Sequence, residues 1–286
     1  MAYGSPRSLD DVEAYYTDIR RGRPPTPEQL ADLVRRYEAI GGVHTLTERT
    51  EAQRRALAAA LGDDWLVVVG TKHSTPSIEE AVREAEEAGA QRLVGLVLAP
   101  HFSSMSVGEY LRRFRDAATV PTSAVESWAT LPAYVEFLAG AVGDALAGLP
   151  DRSKVLFTAH SLPERIVAAG DPYPDELRAT AEAVAEAAGL DRWSGWSTGW
   201  QSAGRTPEPW LGPDVLEVVR DAAANEVPGL LVCPCGFTSD HLEVRYDLDV
   251  DAAAVAQEVG VAFARTAVVN DDPAVMAALA DLVRSA

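Results

Sequence analysis

The sequence predicts an α/β protein of two similar Rossmann-like domains, with parallel sheets flanked by helices and a site in the cleft between them. Three observations carry that expectation. Short apolar runs rich in β-formers alternate with amphipathic stretches, which means parallel sheets covered on both faces. The 286 residues exceed the usual size of one domain, and at 47% hydrophobic content each of two units can bury a core. The two halves also echo each other at the ends of their strand-like runs.

In chain order, strands are expected at 65–69, 93–98, 154–158, 229–233 and 261–264. Helices are expected at 77–89, 131–149 and 175–189, the first and last closed by a glycine as a helix C-cap would be. A last helix is expected at about 272–286, packing back on the first domain, with domains of residues 1–126 and 127–286. Thr71-Lys-His73-Ser74 echoes Thr158-Ala-His160-Ser161, and Pro100-His-Phe-Ser103 is loosely mirrored by Pro234-Cys-Gly-Phe-Thr-Ser239. The second pair of words is spaced more widely than the first, so the echo indicates two similar domains and no solenoid. In doubly wound sheets ligands sit beyond the carboxyl ends of the strands, where both Thr-x-His-Ser words fall.

Composition excludes several classes. A formal net charge of -18 repels polyanions, so nucleic acid and anionic membrane surfaces are not expected partners. No run of eighteen apolar residues and no basic-then-apolar leader is present, so neither a membrane span nor a secretory signal is expected, and a cytoplasmic monomer is. Against the acidic background Arg20, Arg21, Arg23, Arg35 and Arg36 crowd into one short stretch. Such a run is either a solvated helix face or a carboxylate clamp, since guanidinium forks bind carboxylates bidentately. The two cysteines, Cys233 and Cys235, read as small residues buried in a strand.

Two words carry the chemistry. Phe157-Thr-Ala-His160-Ser-Leu-Pro-Glu164, followed by Gly170-Asp-Pro-Tyr173, puts one imidazole at a strand end. Ser239-Asp-His-Leu-Glu243-Val-Arg-Tyr246-Asp247-Leu-Asp249-Val-Asp251 supplies a lead carboxylate and a trailing row of acids. A neutral imidazole accepts a proton or ligates a divalent metal, and carboxylates carry protons or partly dehydrated metal. Leu242, Val244, Tyr246, Leu248 and Val250 alternate with polar residues, which by periodicity alone is a strand.

These words resemble the ferrochelatases. The likeness to the coproporphyrin III ferrochelatases of Gram-positive and related bacteria extends to Ala2-Tyr3-Gly4-Ser5-Pro6, Arg36-Tyr37-Glu-Ala-Ile-Gly-Gly42, Leu98-Ala-Pro-His-Phe-Ser103 and Gly199-Trp-Gln-Ser202. The resemblance implies a chelatase-type fold. It implies insertion of Fe2+ into coproporphyrin III, giving Fe-coproporphyrin III (coprohaem) in haem biosynthesis. Two alternatives stay open: the same chemistry on protoporphyrin IX, or a non-catalytic tetrapyrrole carrier. His160 and Glu243 are the implied catalytic and metal-binding residues; Tyr3, Arg20, Arg36, Tyr37, His44 and Tyr110 are the implied substrate contacts. It also implies a helix over the acidic word, with Glu243, Asp247 and Asp251 on one face as a route for iron and protons and Asp249 turned away. No cofactor beyond substrate Fe2+ is expected, and no iron-sulfur cluster, because no cysteine follows Cys235. A downstream coprohaem-processing enzyme is an expected partner. His44-Thr45 stands where relatives usually have Ser-Pro, so substrate preference is the least constrained inference. Relatives also carry about five apolar strand residues before Ala2-Tyr3-Gly4, so the first strand is expected to be missing and the true start upstream.

Overall fold

The computed structural model describes residues 1–192 and 195–286. It is a layered α/β structure with two parallel sheets. The first sheet pairs β1 (Leu93–Leu96) with β2 (Thr122–Val125). The second runs in the order β4-β3-β5-β6, from β3 (Lys154–His160), β4 (Trp196–Gln201), β5 (Gly229–Cys233) and β6 (Ala262–Arg265). β3 lies between β4 and β5, and its residues 155–159 are all buried, as a doubly covered parallel strand requires. Both carboxyl ends that matter for the site, those of β3 and β5, therefore open on the same edge.

Helices fill the remaining layers: α1 (Val12–Ile19), α2 (Pro27–Ala39), α3 (Thr45–Leu61), α4 (Ile78–Glu87), α5 (Val107–Ala117) and α6 (Pro132–Leu146) in the first part. After β3 come α7 (Arg165–Ala168), α8 (Tyr173–Ala187), α9 (Val215–Ala224), α10 (Leu242–Val244), α11 (Ala253–Val259) and α12 (Pro273–Ser285). Starts are written in side chains. Thr26, Ser77 and Asp214 each accept from the first turn of α2, α4 and α9, while Gln29, Glu80 and Glu217 reach back to the cap. α12 packs on α3 and α6, with Val275, Met276, Leu279, Ala280 and Val283 buried.

Residues 65–69, expected as a strand, form none: among the described residues, no regular element lies between α3 and α4. A strand is defined by its neighbour, and here a cavity of about 750 Å³ lies between 65–70 and β1. Met1 and Ala2 reach into the gap: the Met1 amine donates to the Leu96 carbonyl, and the Ala2 amide to that of Gly70. Burial of that amine lowers its pKa to about 5.

Glu243 sits in a continuous helical run over 242–259, of which Arg245–Ala252 is π-helix flanked by α10 and α11. The strand suggested by the alternation of Leu242 to Val250 does not form. Val244, Leu248, Ala252 and Ala256 bury one side of the run against the second sheet, a helical periodicity that tertiary packing selects. No described helix is long and apolar enough to cross a membrane.

Candidate active site

A cleft of about 530 Å³ opens beyond the carboxyl ends of β3 and β5, within the range of small-molecule sites. Smaller than the cavity beside β1, it is nevertheless where titratable groups converge, and the convergence marks it as the site.

His160 ends β3. Its backbone is held by the Tyr173 hydroxyl, which donates to the His160 carbonyl at 3.0 Å. Nδ1 lies 2.5 Å from the Ser161 carbonyl oxygen; a carbonyl only accepts, so Nδ1 carries the hydrogen and Nε2 is the working nitrogen. That nitrogen stands 3.4 Å from Glu243 Oε1. The other oxygen of Glu243, Oε2, is 3.6 Å from His241 Nε2. Gln201, at the end of β4, ties the two parts together: its amide donates to the Glu243 carbonyl at 2.9 Å and accepts from Thr158 Oγ1 at 2.8 Å. Imidazole and carboxylate, far apart in sequence, are thus brought together from the end of β3 and the start of the helical run after β5, with Gln201 of β4 bridging them.

The charges are mutually arranged. Burial disfavours the His160 imidazolium, but the Glu243 carboxylate, the Ser161 carbonyl and Asp247 outweigh it and raise its pKa to about 8. Burial likewise pushes Glu243 up, and the His160 and His241 rings overcome this, holding the carboxyl well below the usual carboxylate range. Asp247 goes the other way. Burial, joined by the Glu243 charge, lifts it to about 6 against the opposing pull of Ser202 and Arg36. Two carboxylates one turn apart are therefore differently poised, the pattern from which acid and base roles are recognised.

The facing wall comes from the first sheet's side. Tyr3, Arg36, Tyr37 and Tyr110 line the same cleft as His160, Glu243 and Asp247. Tyr3 is 40% exposed into it, its ring edge-on to His73 at 4.7 Å. Burial first, and the Glu243 charge second, raise the Tyr3 pKa, so the phenol stays protonated. Tyr15 fixes this corner by donating to the Gly4 carbonyl at 2.9 Å. Lys72 pairs with Glu109 at 2.7 Å and lies over the Tyr110 ring, 5.3 Å from its centroid.

Three residues singled out in the sequence lie outside the cleft lining. Arg20 caps the end of α1, with its guanidinium over the Tyr16 ring and Nε donating to the Arg23 carbonyl at 3.2 Å. His44 is exposed at the N-cap of α3, where it makes no side-chain cap. Asp251 is half-buried further along the π-segment, near enough for its charge to raise Asp247. Asp249 faces away, paired with Arg265 at 2.6 Å. His101 is buried and bonded to Thr180 at 2.8 Å, and Cys233 and Cys235 are buried free thiols.

Sequence reasoning missed His241, Gln201, Asp32 and Arg205. The signal for His241 was its place two residues before Glu243, and for Gln201 its place in the Gly199-Trp-Gln-Ser202 word. Asp32 and Arg205 had no local signal, because they meet only through the fold.

Comparison with solved structures places the fold among chelatases. The Fe3+-containing SirB from Bacillus subtilis aligns with a TM-score of 0.56 at 14% identity, covering 83% of this chain and 88% of that one. CbiX, described as the terminal enzyme of sirohaem biosynthesis in denitrifying bacteria, aligns with a TM-score of 0.56 at 16% identity, over 82% of this chain and 90% of that one. The Ferrochelatase family profile matches residues 1–286, and the chain belongs to that family. Proteins named coproporphyrin III ferrochelatase are similar along nearly the whole chain. Those of Bacillus pumilus, Halalkalibacterium halodurans and Bacillus subtilis are 43%, 42% and 41% identical, each over 99% of this chain and covering 94%, 94% and 95% of the relative.

Proposed function

We propose that the protein is an enzyme that inserts Fe2+ into coproporphyrin III, releasing two pyrrole protons and giving Fe-coproporphyrin III in haem biosynthesis. The observation that carries the reading is the His160–Glu243 pair, 3.4 Å apart in the cleft of a ferrochelatase-family chain.

Glu243, with the neutral form of His160, receives the iron, and His160 Nε2 takes up a pyrrole proton once the metal has passed into the macrocycle. The permanently charged Glu243 suits the cation, and Asp247, titrating at about 6, suits proton relay. Asp251, further along, extends that route. Tyr3 faces the substrate from the opposite wall. Arg36, Tyr37 and Tyr110 contact the ring or its carboxylates, with Arg20 and His44 as outer contacts. No cofactor beyond the two substrates is assigned, and a cluster held by cysteines alone would need more than the two the chain has. The guanidiniums beside the cleft favour the four propionates of coproporphyrin over the two of protoporphyrin IX.

The test is anaerobic absorbance with Fe2+ and either porphyrin, against a no-protein control. Faster appearance of the iron-porphyrin spectrum with coproporphyrin III is expected, falling at least about 100-fold in His160→Ala. Binding shifts without metallation of either porphyrin would overturn the reading in favour of a carrier.

A further inference from the structure

Three guanidiniums converge on one carboxylate at the mouth of the cleft. Asp32, on α2, accepts from Arg36 Nε at 3.0 Å, from Arg205 Nη2 at 2.7 Å, and from Arg35. Arg35 and Arg36 stand on the same helix as Asp32, whereas Arg205 comes from the loop between β4 and α9. The Arg205–Asp32 pair therefore spans the cleft, and both residues line it. Asp32, with Asp247 3.6 Å from Arg36, offsets two of three positive charges, so the cluster keeps an excess of one where ligands enter.

The three arginines are not equally committed. Arg36 is also 3.6 Å from Asp247 and lies over the Tyr246 ring, 4.8 Å from its centroid. Arg35 donates to the Tyr246 hydroxyl at 3.3 Å. For Arg205, Asp32 is the one partner recorded among the described residues, and its side chain is 53% exposed. Solvent screens the pair on the arginine side, and Asp32 keeps Arg35 and Arg36 when Arg205 leaves, so an incoming carboxylate replaces Asp32 for Arg205 without stranding either charge. The loop that carries it has a firm base and a projecting tip. Leu211 donates to the Leu162 carbonyl at 2.9 Å and Glu164 to that of Pro209 at 3.0 Å. Gly204 lies under Trp210 so closely that a Cβ there would fall 2.3 Å from the indole. Arg205 thus projects from a fixed platform.

We propose that Arg205 is a specificity-determining contact, parked on Asp32 while the cleft is empty and passed to a substrate carboxylate when a polycarboxylate tetrapyrrole enters. This deepens the function proposed above and rests on it for the ligand class. Asp32 serves as the internal stand-in for that carboxylate, and the exchange breaks one ion pair as it makes another.

The test is an iron-free fluorescence titration of metal-free coproporphyrin III and of protoporphyrin IX into wild type, Arg205→Ala, Arg205→Lys and Asp32→Asn, with thermal melting to confirm folding. Loss of a charge-assisted hydrogen bond predicts about tenfold weaker binding of the four-carboxylate ligand by Arg205→Ala, and less than about twofold for the two-carboxylate one. Lysine at 205 recovers part of the loss, and Asp32→Asn, which releases Arg205, tightens the four-carboxylate ligand. Equal effects of Arg205→Ala on both ligands, or no effect, would overturn the proposal. So would weakening by Asp32→Asn as large as that by Arg205→Ala, the sign of a purely structural latch. A wild type that binds in this selective way without metallating either porphyrin would leave Arg205 its role while overturning the iron-insertion reading.

Discussion

Replacing Glu243 by Gln keeps the size and a hydrogen-bond acceptor beside His160 and removes only the charge. In the metal-free protein His160 titrates at about 8 against an ordinary 6.5, a difference of 8 − 6.5, with burial opposing and Glu243 the largest favourable contribution. At about 1.4 kcal/mol per unit this is about 2 kcal/mol. Both side chains are about a third exposed, at 34% and 33%, so solvent screening brings the pair's worth nearer to about 1 kcal/mol. In Glu243→Gln the Ser161 carbonyl and Asp247 remain, and the His160 pKa falls by about one unit, to about 7 or below. Ring-proton NMR titration reads this directly, because the chain has five histidines and His160→Ala assigns the resonance. Stability follows the same sign. The folded pKa lies above the unfolded one, so the stabilisation is complete below pH 6.5 and is lost as pH rises through about 8. The urea midpoint of wild type should therefore drop between those values, while that of Glu243→Gln stays nearly level. An unchanged His160 titration in Glu243→Gln would refute the account of the pair.

Asp247 is charged above about pH 6, so the iron-insertion rate should decline as pH falls through that value, and a pH–rate profile of Asp247→Asn should lack this limb at a lower plateau. Leu279→Ala in α12 empties a fully buried position in the helix that packs on α3 and α6, at a cost of about 2–5 kcal/mol read by denaturant unfolding. Gly236→Ala would set a Cβ 2.6 Å from the Ala159 Cα, so the backbone just before the Glu243 helix must shift. Thermal melting should fall, and iron insertion should fall further than the lost stability explains.

Legibility in the sequence followed apolar continuity. β3 and β5 are runs whose burial needs no partner to be guessed, and 154–158 and 229–233 mark them closely. β4, Trp-Ser-Thr-Gly-Trp-Gln, has neither alternation nor a β-branched run; pairing with β3 along 155–160 makes it a strand. β2, Thr-Ser-Ala-Val, is short and half-buried, and is defined by its register with β1. The opposite error occurs at 65–69, where the composition is right and the neighbour is lacking. At the site, His160 and Glu243 were legible through their extended motifs, which resemble those of a known family. Asp32 and Arg205 were not, since they are two unremarkable polar positions in distant parts of the chain.

The acidic word shows why spacing alone misjudges a surface. At four-residue intervals on an α-helix, Glu243, Asp247 and Asp251 would form one row, and three like charges in line repel unless something compensates each. The π-segment changes the count. Even an α-helix at ~100° per residue turns a residue eight positions along about 80° from its starting direction, and the i→i+5 bonds of this segment change the turn again. Glu243 and Asp247 line the cleft and Asp251 does not. Each of the two cleft acids then meets its own compensation: Glu243 two imidazoles, and Asp247 a hydroxyl and a guanidinium. Two rings act on Glu243, whereas the guanidinium 3.6 Å from Asp247 is shared with Asp32, so one carboxyl is held down while burial wins at the other. Neighbouring acids on one helix therefore divide, by their different partners, into a permanent anion suited to a cation and a group that exchanges protons near neutrality.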